Sequence, residues 1–319
     1  MRPDLSSGTR QDREAWLLQR RSAIGSSDAP AVVLGGLVSN NPEAQKIKGV
    51  FRTPFHVYLD KHGLLPSSDD NRKRWGRKLE AVVAEAFVEE TGLMVTSGGV
   101  ASRRHPVYPW MAATPDYLVG HDGLLECKTT AHGGGWGPSG SDEFPEGYLV
   151  QVLHQMECLQ RSVGYLAVLI GGSDFRWYTI RDQPALRAKI VEIEREFWRA
   201  VEDCIPPEPD WTHPETPRLA ALLNRPDPAA SVQLDSEAQL WAESYERMGR
   251  EIAGLESERA KCKGRLIDAM GGAGVGVLPD GRKVTRKLQH RKGYSVEATM
   301  TEQFRILGKP IHSQDEEMI

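Results

Sequence analysis

The sequence predicts an α/β fold: a mixed central sheet flanked by helices, with a long helix and a β-hairpin added at the C-terminal end. Three observations predict it. Helical and strand-like segments run in the order helices, strands, hairpin, helix, strands, helix over residues 12–205, the order of an α/β layer fold. The stretch Thr114 to Thr129 holds two short apolar runs, Tyr117-Leu118-Val119 and Leu124-Leu125, around the turn signal His121-Asp122-Gly123. Past a proline-rich segment, Trp241, Tyr245, Met248, Ile252, Leu255, Cys262 and Leu266 step in alternating threes and fours, with Arg259 at the one polar position.

Each element has its own signal. Residues 12–21 read as a helix with Trp16 and Leu17 inward. Ile24-Gly25-Ser26-Ser27-Asp28-Ala29 is a Gly/Ser turn with capping residues, leading into a short helix ended by Gly35. Such a helix start presents free N–H groups and can hold a phosphate, with Arg20 nearby; it can equally be an ordinary capped turn. Thr53 caps a helix with Pro54 at its first position and Gly63 at its end. A long helix follows from Asp70 to Gly92, its buried side marked by Leu79, Val82, Val83, Ala86, Phe87 and Val88. Glu80 stands on this helix, by default as a solvated carboxylate. Strands are expected at Leu93–Val100 and Trp110–Ala113.

After the central hairpin comes a glycine-rich loop, Ala131 to Gly140. Its His-Gly-Gly-Gly has no Gly-x-Ser-x-Gly elbow to accompany it, which excludes an esterase reading. A phosphate-binding Gly-x-x-x-x-Gly-Lys loop and a His-Glu-x-x-His zinc helix are also missing. A helix over Tyr148–Leu159 puts Tyr148, Gln151 and Gln155 on one side, where they also read as a polar helix edge. Val163–Ile170 and Phe175–Ile180 read as strands, and Pro184–Cys204 as an amphipathic helix. Residues 206–231 read as a proline-rich linker with one short helix around Arg218–Asn224. Pro279-Asp280-Gly281 is a hairpin turn, followed by the basic run Arg282, Lys283, Arg286, Lys287, Arg291 and Lys292. That hairpin could lie along phosphates through Arg286 and Lys287, or be a charged edge that resists aggregation. Three parts result: a domain over 1–205, a linker over 206–231, and a C-terminal helix and hairpin over 232–319.

The composition fits a soluble protein of one large or two modest domains: 319 residues, 39% hydrophobic, 26% charged, net charge −4. That charge does not advertise a nucleic-acid binder, yet local patches could still contact phosphates. The start, Met1-Arg2-Pro3-Asp4, lacks the apolar core of a signal peptide, and the apolar run Tyr165–Ile170 is too short to span a bilayer. Cys127, Cys158, Cys204 and Cys262 form no Cys-x-x-Cys, so no zinc or iron–sulfur site is supported, and single cysteines fit a reducing cytoplasm.

The chemistry is expected in the central hairpin. Glu126 and Lys128 lie two apart and share a face on a strand. A three-residue loop at 121–123 would set Gly120 opposite Leu124 and Asp116 opposite Lys128 on that face; a two-residue loop would send Asp116 to the other face. With the three-residue loop, Asp116, Glu126 and Lys128 converge at a strand end. Two close carboxylates repel unless a cation lies between them, and an all-oxygen site with few protein ligands suits Mg²⁺ or Mn²⁺. A lysine beside such a metal can stabilise charge on phosphorus, the equipment for cutting a phosphodiester. The bland alternative is an Asp and a Glu flanking a hairpin with a solvated lysine.

Together the motifs Ile24-Gly25-Ser26-Ser27-Asp28-Ala29, Gly76-Arg77-Lys78-Leu79-Glu80, Thr114-Pro115-Asp116, Glu126-Cys127-Lys128 and Pro145-x-x-Tyr148-x-x-Gln151 resemble, in order, the YqaJ-type viral recombinase family. These are lambda exonuclease-like members of the PD-(D/E)xK nucleases, and the resemblance covers about residues 12–205. It implies a restriction-endonuclease-like core, Mg²⁺ dependence and degradation of double-stranded DNA from 5′ ends in phage-type recombination. By similarity Asp116, Glu126 and the Cys127 carbonyl would bind metal, helped by Glu80. Lys128 would position or activate the water and Gln151 would orient it or the phosphate. Arg20 would grip a 5′ phosphate beside Ser27. The resemblance also implies DNA ends as partner, a single-strand annealing protein downstream, a ring-shaped trimer, and the cytoplasm of a bacterial host. Two departures stand out. A second glutamine common in the family two residues after the first is here Leu153, and the lambda enzyme lacks the 206–319 extension.

Overall fold

The computed structural model describes residues 18–39, 49–65, 71–99, 101–289, 304 and 306. It divides into two compact units, Met1–Pro226 and Asp227–Ile319. Residues 18–21 are helical; the rest of the expected 12–21 helix, with Trp16 and Leu17, lies outside the described residues, as do Arg291 and Lys292.

The first unit is built on a mixed five-stranded sheet of order β2-β5-β6-β7-β8. Its strands are β2 (Val95–Ser97), β5 (Tyr117–Val119), β6 (Gly123–Thr130), β7 (Val163–Ile170) and β8 (Asp174–Arg181). β6 and β7 run parallel; every other neighbouring pair is antiparallel. A smaller sheet, β1-β4-β3, joins β1 (Ile24–Gly25), β4 (Met111–Ala113) and β3 (Arg103–Arg104). Beyond the helical residues 18–21, seven helices are described: α1 (Ala29–Ser39), α2 (Pro54–Lys61), α3 (Asn71–Thr91), α4 (Glu146–Leu159), α5 (Pro184–Glu202), α6 (Thr216–Leu223) and α7 (Ser236–Met270). This is the mixed α/β architecture with helices on both faces that the sequence predicts.

β6 is covered on both sides, and its alternation divides the core. Leu124 packs with Val152, Leu153 and Met156 of α4 and with Leu166 and Val168 of β7. Leu125 and Cys127 point the other way, against Val83, Ala84 and Phe87 of α3. The buried face of α3 is narrower than the apolar residues suggest: Val82 is 49% exposed, one helical step off the stripe set by Val83 and Phe87. α4 lies very close to the sheet because β7 has Gly164 beneath it. A Cβ there would collide with Val152 and come within 3.1 Å of the Met156 sulfur.

Two boundaries differ from expectation. α1 does not stop at Gly35. That glycine instead lets α1 approach α2, since a Cβ would lie 2.6 Å from Pro54 Cδ. The proline-rich stretch after α5 is not a free linker up to 231. Leu219 of α6 is buried among Phe55, Val57, Phe197 and Val201, and Thr216 is buried too, so the first unit extends to Pro226. A buried apolar residue on a short helix overrides the local proline signal.

α4 is tied to the small sheet through a buried polar pair. His154 Nδ1 lies 2.8 Å from Glu194 Oε1 of α5, and its Nε2 lies 3.0 Å from the Ala112 carbonyl of β4. The Glu194 carboxylate and the Ala112 carbonyl are both acceptors, an arrangement that suits a ring protonated on both nitrogens, with the Cys158 sulfur 3.5 Å from Nε2. Burial would lower its pKa, but Cys158 and the Glu194 carboxylate outweigh this and raise it well above the usual histidine value.

The second unit holds α7 and the hairpin of β9 (Val275–Val277) and β10 (Lys283–Thr285). Asp235 caps α7 by accepting from the Ala238 N–H at 2.9 Å. No residue of this 35-residue helix is buried. Among the described residues no helix is long and apolar enough to cross a membrane.

Glu194→Gln should lower unfolding stability at neutral pH by about 3 kcal/mol, because it strips a buried cation of its partner. A raised pKa in the folded state means the contribution is complete below the histidine's unfolded value and fades as pH rises through the folded one. Urea unfolding of both proteins across pH checks this: their difference should shrink toward alkaline pH.

Candidate active site

The turn between β5 and β6 decides where Asp116 goes. Val119 pairs with Gly123, Leu118 with Leu124 and Tyr117 with Leu125. The loop therefore has three residues, as expected, but they are Gly120-His121-Asp122 rather than 121–123. Gly120 opens it with φ +55, a left-handed conformation that glycine adopts without strain. Continuing the register sets Asp116 across from Glu126, not Lys128. The displacement is by a whole pleat, so Asp116 keeps the face that the three-residue loop assigns it.

Past Tyr117 the ladder between β5 and β6 ends, and Asp116 takes over. Its Oδ2 accepts the Cys127 backbone N–H at 2.8 Å. The N–H and C=O of one residue in an extended strand point to the same side, so the Cys127 carbonyl is directed toward Asp116 as well. The Cys127 thiol is pushed well above its usual pKa, by burial first and then by the carboxylates of Asp116, Glu126 and Glu80. Glu80, on α3, thus adds its charge to this spot. Among the described residues no group of three His, Cys, Asp or Glu side chains is arranged to hold a metal ion by itself.

Glu126 is the most heavily bonded member. Lys128 Nζ donates to its Oε1 at 2.7 Å and Gln151 Nε2 to the same oxygen at 2.6 Å. Gln155 Nε2 donates to Oε2 at 2.7 Å. Lys128 also donates to Gln151 Oε1 at 3.0 Å and sits 4.9 Å above the Tyr148 ring. A carboxylate has about four lone-pair positions; three are in use, and the remaining one is on Oε2. Burial would lower the pKa of Lys128, yet Glu126 and Asp116 raise it above the ordinary lysine value. The side chain is therefore an ammonium at neutral pH and has no lone pair with which to take a proton.

Sequence reasoning left Gln155 as a polar helix edge. It is fully buried, one helical turn after Gln151, and contributes the third donor to Glu126. Its Oε1 is buried with no hydrogen-bond partner. The position two residues after Gln151 is Leu153, which points into the apolar core instead.

These donors fit a hard divalent cation. Asp116, Glu126 and the Cys127 carbonyl offer oxygen atoms only, with Glu80 adding charge nearby, and few protein oxygens are what Mg²⁺ accepts while it keeps water.

Residues 15–162 match the YqaJ-like viral recombinase domain family. Over 201 residues the chain is 35% identical to the uncharacterized protein YqaJ of Bacillus subtilis (strain 168), covering 61% of this chain and 58% of that protein. Among solved structures it is similar to an alkaline exonuclease, LHK-Exo, from Laribacter hongkongensis. The identity there is 20% and the TM-score 0.43, over 66% of this chain and 100% of the other. A phage related exonuclease from Haemophilus somnus 129PT is similar at 14% identity and TM-score 0.43, over 57% and 95%.

The first unit has a second charged cluster around Asp28. β1 pairs in parallel with β4, Gly25 opposite Ala112, so the Asp28 turn sits beside the strand that leads to Asp116. Asp28 is buried. Its Oδ1 meets Arg20 at 3.2 Å and Arg52 at 3.0 Å, and its Oδ2 meets Lys61 at 2.7 Å. Arg20 and Arg52 also reach Asp60, at 3.5 and 3.2 Å. Burial would raise the Asp28 pKa, but Lys61, Arg20 and Arg52 hold it far below the carboxylate range. Arg52, Asp60 and Lys61 went unnoticed in the sequence because they lie far along the chain from Asp28. Ser27 is exposed beside the cluster, and Lys61 is buried under it. Arg286 and Lys287 belong to the second unit, exposed on the β9–β10 hairpin, where Arg286 donates to the Gly271 carbonyl at 3.1 Å.

Asp28→Asn should destabilise the domain at pH 7 by about 3 kcal/mol, since it leaves the buried Lys61 facing an uncharged group and Arg20 and Arg52 to share Asp60 alone. A depressed carboxylate contributes above its unfolded pKa, and the contribution disappears as pH falls through the folded value. The gap between the two proteins in urea unfolding should therefore be full at pH 7 and close in acid.

Proposed function

We propose that this chain is a magnesium-dependent 5′-to-3′ double-strand deoxyribonuclease of phage-type recombination, an exonuclease that leaves 3′ single-stranded overhangs. Mn²⁺ would substitute for Mg²⁺. The observation that carries the reading is the gathering of Asp116, Glu126, Lys128 and Gln151 at the half-exposed end of β6. The match of residues 15–162 to the YqaJ-like viral recombinase domain family adds weight.

In this reading Asp116, Glu126 and the Cys127 carbonyl would hold the metal, with Glu80 alongside. When bound, the ion polarises a phosphate oxygen and makes water a stronger nucleophile. The rest falls to the chain. Lys128, an ammonium, stabilises negative charge that builds on the phosphoryl oxygens. It does not serve as the base, because its proton is held by Glu126 and Gln151. Gln151 fixes both Lys128 and Glu126, and Gln155 fixes the second carboxylate oxygen. The Asp28 cluster supplies the end recognition. Three cations face two carboxylates there, so Arg20 and Arg52 can share their charge with a 5′ phosphate beside Ser27. The downstream partner would be a single-strand annealing protein, the assembly a homo-oligomer such as a trimer, and the setting a bacterial cytoplasm.

One observation favours a second reading, a DNA-end-binding module without cleavage: Glu126 is already engaged by three donors. An endonuclease of the same fold is the remaining alternative. Digestion of duplex DNA separates them. Linear DNA with 5′ phosphates should shorten in Mg²⁺, faster than 5′-hydroxyl DNA, and closed circles should persist. Asp116→Ala should cut the rate by about a hundredfold or more with DNA binding retained. DNA left intact in both Mg²⁺ and Mn²⁺ would support the silent module, and loss of closed circles the endonuclease.

For the hairpin, reversing the charge of Arg286 and Lys287 should weaken DNA binding and flatten its salt dependence by about two ions. Titration across salt concentrations checks this, and unchanged affinity would remove the hairpin from the DNA contact.

A further inference from the structure

The long helix of the second unit has no buried residue, yet it carries a stripe with the spacing of a coiled-coil seam. Ile252, Leu255 and Leu266 on that stripe are exposed, Leu255 by 72%. Arg259 and Cys262 interrupt it. The N-terminal part of the stripe already has a neighbour: the Tyr245 ring meets Phe304 edge-on, with centroids 5.4 Å apart. The part from Ile252 onward is what needs covering.

We propose that the C-terminal half of α7 pairs with the same segment of a second copy as an antiparallel coiled coil centred between Ala260 and Lys261. The charges flanking the seam select this arrangement. In that register Leu255 packs on Leu266 of the second copy, Ile252 on Ala269, and Arg259 beside Cys262. The flanking positions then place Glu256 against Lys263 and Glu258 against Arg265 of the other copy, each pair occurring twice by symmetry.

Competing arrangements bring like charges together. A parallel pair in register sets Arg259 against Arg259 within the seam and Glu251 against Glu256 on its flank, where the one attractive pair, Glu258 with Lys263, only offsets the repulsion. An antiparallel pair shifted by one heptad toward the N-terminus puts Glu256 against Glu256 and Glu258 against Glu258. Charges at these positions are what sets orientation and register in coiled coils, through repulsion in the wrong pairing as much as attraction in the right one. The chosen register also leaves Tyr245 outside the overlap, where Phe304 meets it.

Cysteine cross-linking of the full-length protein tests orientation and register together. The background is Cys204→Ser, which leaves Cys262 as the one exposed cysteine among the described residues. Oxidised Cys204→Ser protein should run as a monomer on a non-reducing gel, because Cys262 faces Arg259. Adding Arg259→Cys should convert it to a disulfide-linked dimer. Cross-linking of the Cys204→Ser protein itself, through Cys262 on both chains, would mean a parallel pair and overturn the proposal. So would a failure of the Arg259→Cys protein to cross-link. Independently, Leu255→Glu with Leu266→Glu should halve the solution mass measured by light scattering while the helical circular dichroism persists. An unchanged mass, as expected if the stripe docked on its own chain, would also overturn it.

Discussion

A charged group buried on a central strand has to be matched, and Glu126 imposes that demand on everything around it. An unpaired carboxylate in such a place costs several kcal/mol, so the chain surrounds it with an ammonium and two amides. Lys128 comes from the same strand at no topological cost. Gln151 and Gln155 come from α4, which must therefore lie over β6 with one polar face aimed at the carboxylate and its apolar residues in the core. The parallel crossover from β6 to β7 is the connection that carries α4 there. Fold and site are two descriptions of one set of contacts.

The same logic extends the site toward the N-terminal part of the domain. Asp28 is buried and neutralised by Arg20, Arg52 and Lys61, which pulls together two stretches of the chain, 20–28 and 52–61. The pairing of β1 with β4 and the bond from His154 to Ala112 connect that cluster, α4 and the strand that delivers Asp116. The small sheet thus connects the Asp28 cluster to the five-stranded sheet on which Glu126 sits.

What the sequence revealed, and what it hid, follows from sequence distance. Asp116, Glu126 and Lys128 were legible because a hairpin brings them together within a few residues, and pleat parity fixes their shared face. The exact loop was not, because Gly120 could open the turn as readily as Gly123 could close it. Gln155 looked like a helix edge, since only the third dimension shows which side of α4 meets Glu126. Arg52, Asp60 and Lys61 gave no local signal at all. Gly35 read as a helix stop because close contact with Pro54 leaves no mark in the neighbouring residues. The prolines after α5 suggested a linker, whereas the burial of Leu219 makes that stretch part of the domain.

Gly164 gives this arrangement an unexpected vulnerability. It carries no chemistry and touches no charged group, yet it sets how low α4 can ride on the sheet. Any larger residue would act as a spacer, lifting the glutamines off their carboxylate while leaving each reactive side chain in the sequence. The seating of the glutamines on Glu126 therefore depends on a single added methyl group's worth of clearance, at a position that an inspection of the polar residues would pass over.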